Sequence, residues 1–187
     1  MAAAGKSQIF YGFQFSDRIT ESQITFEHQI VDDAGKDYKA AHYDHGNGIA
    51  VADVDGDGLL DIITIDERRG VSIYFGQKDG SFSSELTLDQ GKVSPYALAV
   101  GDLNLDGKID IIVGNVEAPS TIFFNDGSGR HFTTVHFGDN KGTAYGFAIA
   151  DLDRNGLPDI AVARSDATSM VYFGDHAAGQ KAVGSRQ

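Results

Sequence analysis

The chain has 187 residues, 41% of them apolar, which is enough to bury a core and suggests one or two domains. Its 27 Asp and Glu outweigh 15 Lys and Arg for a formal charge of −12, with no clustered basic stripe, so neither nucleic acid nor an anionic membrane is expected as a partner. The absence of cysteine excludes disulfides and thiolate metal sites, and no apolar run approaches the ~20 residues that insert a helix into a membrane.

The amino end, MAAAGKSQIFYGF, lacks the roughly 7–15-residue apolar stretch of a secretory signal. Residues 8–40 carry two strand-like pieces, IFYGFQF and QITFEHQIV, followed by a polar loop, DDAGKDYKA. The turn HYDHG offers His42, Asp44 and His45 either as a histidine-packed turn or as ligands for a transition metal.

From residue 43 the chain repeats itself. A small apolar strand comes first: GIAVAD (48–53), ALAVGD (97–102) and FAIAD (147–151). An acidic loop follows: DVDGDGLLD from Asp53, DLNLDGKID from Asp102 and DLDRNGLPD from Asp151, each starting 49 positions after the last. Next come LDIITID (60–66), IDIIVGN (109–115) and PDIAVAR (158–164), then VSIYFG (71–76), STIFFN (120–125) and SMVYFG (169–174). Runs of four to eight residues rich in Ile and Val, bounded by Gly, Asp and Asn, read as strands. A glycine-rich turn, QKDGS or NDGSG, leads to a fourth strand, SFSSELTL (81–88) or HFTTVHFG (131–138). The tail HAAGQKAVGSRQ gives the third repeat no visible fourth strand.

Four short strands per 49 residues predict an all-β fold of β-propeller blades, each of four antiparallel strands. A stack of hairpins or a β-solenoid is the alternative. The units are 43–91, 92–140 and an incomplete 141–187, preceded by an amino-terminal segment, 1–42. Ile24 and Phe26 fall 49 positions before Ile73 and Phe75, so that segment is expected to carry part of a preceding blade. The total is about three to three and a half blades, short of the roughly 4–8 that close a ring, which points to further blades or to self-association.

The loops carry the chemistry. Oxygen donors at positions 1, 3, 5 and 9, a backbone carbonyl at position 7 and glycine at position 6 are how a short backbone wraps a hard divalent cation. The expected donors are Asp53, Asp55, Asp57, Leu59 (carbonyl) and Asp61; Asp102, Asn104, Asp106, Lys108 (carbonyl) and Asp110; and Asp151, Asp153, Asn155, Leu157 (carbonyl) and Asp159. Oxygen-only ligands in a flexible cage favour Ca²⁺ over Mg²⁺ and Zn²⁺, so three calcium sites are expected. Three such ions would halve the formal charge. These are not EF-hands, because the position of the bidentate Glu is taken by Thr64, Val113 or Val162 and the flanks are strands. Tyr96 and Tyr145, each six residues before a loop, either pack between blades or line a sugar site. No GxSxG, HExxH or phosphate-cradling loop occurs, and a non-catalytic role is expected.

The motif DxDxDGxxD, set after a small apolar strand and before an aromatic YFG-type strand, resembles the FG-GAP/VCBS repeat of integrin alpha-subunit propellers and many bacterial exported proteins. FQFSDRITESQITFEHQ followed by HYDHGNGIAVADVDGDGLLD is similar to the start of propellers in the cartilage acidic protein (ASPIC/UnbV-associated) group. These resemblances imply a calcium-dependent propeller, extracellular or periplasmic, that binds a protein or glycan ligand in recognition or adhesion. Related propellers also scaffold polysaccharide lyases, and a self-assembling structural propeller is a third reading.

Overall fold

The computed structural model describes residues 8–10, 13–15, 48–66, 69–83, 85–88, 93–175 and 184–186. The described residues are strands, turns and loops without a helix. After a short hairpin of β1 (Gln8–Phe10) and β2 (Phe13–Phe15) come three four-stranded antiparallel meanders. The first is β3 (Ile49–Ala52), β4 (Asp61–Asp66), β5 (Gly70–Tyr74) and β6 (Leu86–Leu88). The second is β7 (Pro95–Gly101), β8 (Asp110–Asn115), β9 (Ser120–Asn125) and β10 (Phe132–Phe137). The third is β11 (Thr143–Ala150), β12 (Asp159–Ser165), β13 (Met170–Phe173) and β14 (Gly184–Arg186). These are blades of a partial propeller.

Two expectations change. IFYGFQF, read as one strand-like piece, supplies both strands of the first hairpin, with Phe10 opposite Phe13. The tail does hold a fourth strand, β14, paired to β13 with Tyr172 opposite Ser185. An outer edge strand needs only backbone pairing on one side, so Gly184–Arg186 carries none of the Ile/Val signal on which strand reading depends. QITFEHQIV, DDAGKDYKA and His42, Asp44 and His45 lie outside the described residues.

The sheets stack face to face. Side chains alternate across a strand, so one strand serves two interfaces. On β8, Ile111 and Val113 join Phe123 against the first sheet's Ile63, Ile65, Val71, Ile73 and Phe75. Ile112, between them, joins Ile122 on the opposite face, against Ile160, Val162 and Tyr172 of the third sheet. The middle sheet is therefore buried on both faces, and DIIVGN needs no polar alternation. Each fully buried Ile or Val contributes about 1.5–3 kcal/mol relative to exposure. The first strands lie side by side, β3 against β7 and β7 against β11, which sets the three acidic loops in series at the ends of neighbouring strands.

Two bulges interrupt this regularity at equivalent places. Pairing skips from Pro95–Asn115 to Ala97–Gly114, leaving Tyr96 as the extra residue, and from Ala144–Arg164 to Gly146–Ala163, leaving Tyr145. The two rings meet across the blades, with centroids 4.5 Å apart and tilted by 48°. They pack against each other, at the opposite end of β7 and β11 from the acidic loops.

Candidate metal centre

Each acidic loop joins the first strand of a blade to the second and repeats one hydrogen-bond scheme. The carboxylate at position 1 holds the turn together. Asp53 accepts from the amides of Gly56 (2.8 Å) and Gly58 (2.9 Å). Asp102 accepts from Asp106 (3.1 Å) and Gly107 (2.8 Å), and Asp151 from Asn155 (3.0 Å) and Gly156 (2.9 Å). Position 3 accepts from the amide at position 5: Asp55 at 3.3 Å, Asn104 at 3.0 Å and Asp153 at 3.1 Å. Position 5 accepts from the amide at position 7: Asp57 from Leu59 (2.8 Å), Asp106 from Lys108 (3.0 Å) and Asn155 from Leu157 (2.8 Å).

The last aspartate has a second task. Asp61, Asp110 and Asp159 are buried, and each accepts amides on both of its oxygens. One amide comes from position 2 of the same loop: Val54 (2.7 Å), Leu103 (3.0 Å) or Leu152 (2.6 Å). The other comes from the end of the third strand: Gly76 (2.9 Å), Asn125 (2.9 Å) or Gly174 (2.8 Å). A ligand position read from spacing is thus also the clasp that ties three strands of a blade together. A carboxylate oxygen has two lone pairs, so the single amide on each oxygen of Asp61 and Asp110 does not exhaust its capacity, whereas one oxygen of Asp159 also accepts the amide of Asp153 at 3.4 Å.

The backbone is bent to suit. Glycine at position 6 adopts a left-handed conformation in all three loops, φ 86° at Gly58, 82° at Gly107 and 88° at Gly156. Position 4 does the same, at Gly56 (74°) but also at Leu105 (60°) and Arg154 (64°). A leucine and an arginine there carry local strain.

Among the described residues, two groups of carboxylates bring one oxygen each to within 4.8 Å of one another: Asp53, Asp55 and Asp61, and Asp151, Asp153 and Asp159. In the second loop the middle member is Asn104, a neutral oxygen, and Lys108 Nζ stands 3.6 Å from Asp106. Asp57 and Asp106 lie outside such groups, their side chains engaged with the turn. Burial pushes the pKa of Asp61 and Asp110 up, two amide donors oppose it, and neighbouring carboxylates (Asp55 and Asp53, Asp106 and Asp102) push further the same way. Oxygen-only donors clustered this closely, beside a buried carboxylate already clamped in place, fit a hard divalent cation.

Parts of the first site come from the next blade. Asn125, in register with Gly76 and Gly174, donates through Nδ2 to the carbonyls of Val54 (2.7 Å) and Ile109 (3.0 Å). Its Oδ1 accepts from Gly127 (2.9 Å) and Gly129 (3.1 Å), shaping a turn that rests on Asp55, to whose Cβ a Cβ at Gly129 would approach within 2.9 Å. Arg130 then lies over Phe75, 4.2 Å from the ring centroid. The signal for these residues was the break in repeat register, an Asn where the other repeats have Gly.

The FG-GAP-like repeat family matches the chain twice, over residues 53–113 and 102–162, which together span more than half of it. The chain belongs to the FG-GAP-like repeat family. Each match on this FG-GAP-like protein starts at the first aspartate of one loop and runs through the next loop into the strand after it, so the two matches overlap over residues 102–113. The resemblance to the cartilage acidic protein group rests mainly on residues ahead of both matches, which do not bear on it. No curated protein matches the chain. Among solved structures, a chain of "Crystal structure of BBS1N in complex with ARL6DN, soaked with lead" is similar to it at 14% identity and a TM-score of 0.37. That likeness covers 66% of this chain and 49% of the other, so the FG-GAP-like protein spans about half the length of that structure.

One cleft brings Tyr, Arg and Lys together. It lies between the second and third blades and is lined by Asn115, Asp139, Lys141, Arg164 and Tyr172 among others. Its volume of about 10 Å³ admits roughly one water. Arg164 is already engaged with Asp139 and with the carbonyls of Thr168 and Lys141. Among the described residues no helix is long and apolar enough to cross a membrane.

Proposed function

We propose that this FG-GAP-like protein is a calcium-binding, non-catalytic propeller module in which the cation stabilises each blade and the assembled surface recognises a protein or glycan. The observation that carries this is the threefold recurrence of one carboxylate-and-amide cage, with the oxygens of Asp53, Asp55 and Asp61 within 4.8 Å. Without a cation those carboxylates repel one another; with one, the loop holds its shape and the first two strands stay in register. The full donor set in this reading is positions 1, 3, 5 and 9 with the carbonyls of Leu59, Lys108 and Leu157.

Charge count ranks the sites. The first loop has four carboxylates and support from Asn125. The third has three, and the second has three with Lys108 beside one of them. Calcium affinity therefore falls from the first loop to the third to the second. Exposed loops of this kind suit the roughly 10⁻⁴–10⁻³ M affinities of extracellular modules, consistent with a place outside the cytoplasm.

Calorimetric titration of the metal-free protein with calcium tests the reading. It predicts three ions per chain, falling to two in Asp53→Asn. Heat indistinguishable from dilution would overturn it. Glycan screening beside an assay for polymer cleavage then separates recognition from catalysis.

A further inference from the structure

The acidic loops differ at position 5, which is Asp57 in the first, Asp106 in the second and Asn155 in the third. Glycine follows at position 6 in all three, where φ of 86°, 82° and 88° describes a left-handed backbone that other residues rarely adopt. The loop with an amide at position 5 is thereby committed to an Asn–Gly pair. Asparagine loses its side-chain amide by attack of the next backbone nitrogen, and glycine, with no Cβ, hinders that attack least. Of the six asparagines only Asn47 and Asn155 precede glycine, and Asn155 is the one among the described residues.

The closed loop restrains both reacting groups. The nucleophile, the backbone nitrogen of Gly156, donates its hydrogen to Asp151 Oδ2 at 2.9 Å. The electrophile is Cγ of Asn155, and both atoms it carries are tied. Oδ1 accepts from the Leu157 amide at 2.8 Å, and Nδ2 donates to the Gly174 carbonyl at 2.8 Å. Gly174 directly follows β13 and is itself held by Asp159 at 2.8 Å. The side chain is therefore kept from turning toward Gly156 while the clasp is shut.

We infer that Asn155 is a modification site, protected while the third loop is closed and converted to an acid when it opens. In the open loop the Gly156 nitrogen bonds to Cγ of Asn155 and the Cγ–Nδ2 bond breaks. The proton of that nitrogen passes through solvent to the departing nitrogen, so ammonia leaves and a cyclic imide remains. Water then opens the ring. Attack at Cγ leaves aspartate, which gives the third loop the four carboxylates of the first and removes the bond to Gly174. Attack at the former main-chain carbonyl leaves isoaspartate, whose main chain carries an extra carbon and no longer brings Gly156 to Asp151. The clamp consists of hydrogen bonds in the structure; only its control by calcium rests on the function proposed above.

Incubation of the whole chain near neutral pH tests it, with saturating calcium, with a chelator and in urea, each followed by peptide mapping in acid and mass spectrometry. Mapping separates Asn155 from Asn47. Calcium at a hundred times its dissociation constant lowers the open population about 100-fold. Conversion at Asn155 is therefore expected to be fastest in urea, slower in the chelated protein, and slower again with calcium by up to about 100-fold. Asp151→Ala frees the Gly156 amide and speeds conversion of the chelated protein toward the urea rate. Gly156→Ala strains the left-handed position and loosens the loop, yet slows conversion, in urea as well. Loosening alone would move both variants the same way. Equal rates with calcium and with chelator, both below the urea rate, support the site and its clamp and count against calcium control. Conversion of the folded protein at the urea rate overturns the inference. So does an Asn155 that stays intact in the chelated protein after the unfolded chain has converted.

Discussion

Asn125 of the second blade donates from Nδ2 to the carbonyl of Val54 in the first blade, 2.7 Å away and 71 residues earlier in the chain. That bond joins the side chain closing one blade's third strand to the backbone of the neighbouring blade's acidic loop. Acidic loop and blade packing are thus one structure. Occupying the first loop should stiffen the contact between blades as well as the loop.

Asn125→Ala tests this coupling. It strands the carbonyls of Val54 and Ile109 and the amides of Gly127 and Gly129. With about 1–3 kcal/mol for each buried group left unsatisfied, and some recovered by water, the loss should be about 2–4 kcal/mol. Urea unfolding measures it, and calcium affinity at the first loop should fall in the same variant. Transplanting the residue does not work in reverse. A Cβ at Gly76 would lie 2.4 Å from the carbonyl oxygen of Leu60, a backbone atom that cannot swing aside, so Gly76→Asn is also destabilising.

The strained loop positions give a prediction of opposite sign. Leu105 and Arg154 hold φ of 60° and 64° where the first loop has Gly56. A left-handed non-glycine residue costs about 1–2 kcal/mol, and glycine's extra freedom in the unfolded chain costs about 0.4–1 kcal/mol. Leu105→Gly and Arg154→Gly should therefore each stabilise the protein by about 0.5–1 kcal/mol. Thermal unfolding checks this, an increase of roughly 1–4 °C being expected for a chain of this size.

How much of this was legible beforehand follows from what each residue type can signal. Asp53, Asp102 and Asp151 at one interval revealed the loops, the blades and the order of strands, because a turn held by side-chain carboxylates needs particular atoms at particular positions. DIIVGN and DIITID read as strands because burial on both faces demands unbroken apolar runs. β14 was missed because an edge strand asks nothing of its side chains. The clasp at Asp61, Asp110 and Asp159 was missed because the reading assigned each aspartate one role. Asn125 was visible only as an irregularity, since its partner lies in another repeat.

Acid stability has a local determinant away from the loops. The Arg164 side chain, hydrogen-bonded to Asp139 and itself 9% exposed, holds the Asp139 carboxyl below its ordinary value of 3.8, assisted by the Lys141 amide. A depressed carboxylate pKa adds stability that is present above 3.8 and lost as the pH falls through the folded-state value. Asp139→Asn should lower stability at neutral pH and flatten its decline below about pH 4. Denaturation midpoints at neutral pH and in that acid range compare the two proteins. Equal slopes in acid would remove Asp139 from the explanation.

Thermal unfolding of the whole chain, with saturating calcium and again with a chelator, tests the central claim most directly. An ion at a hundred times its dissociation constant adds about 2.7 kcal/mol per site, or roughly 5–10 °C in melting temperature for a chain of this length. The account predicts a rise of at least that size, reduced in Asp53→Asn. Superimposable curves with and without calcium would contradict it.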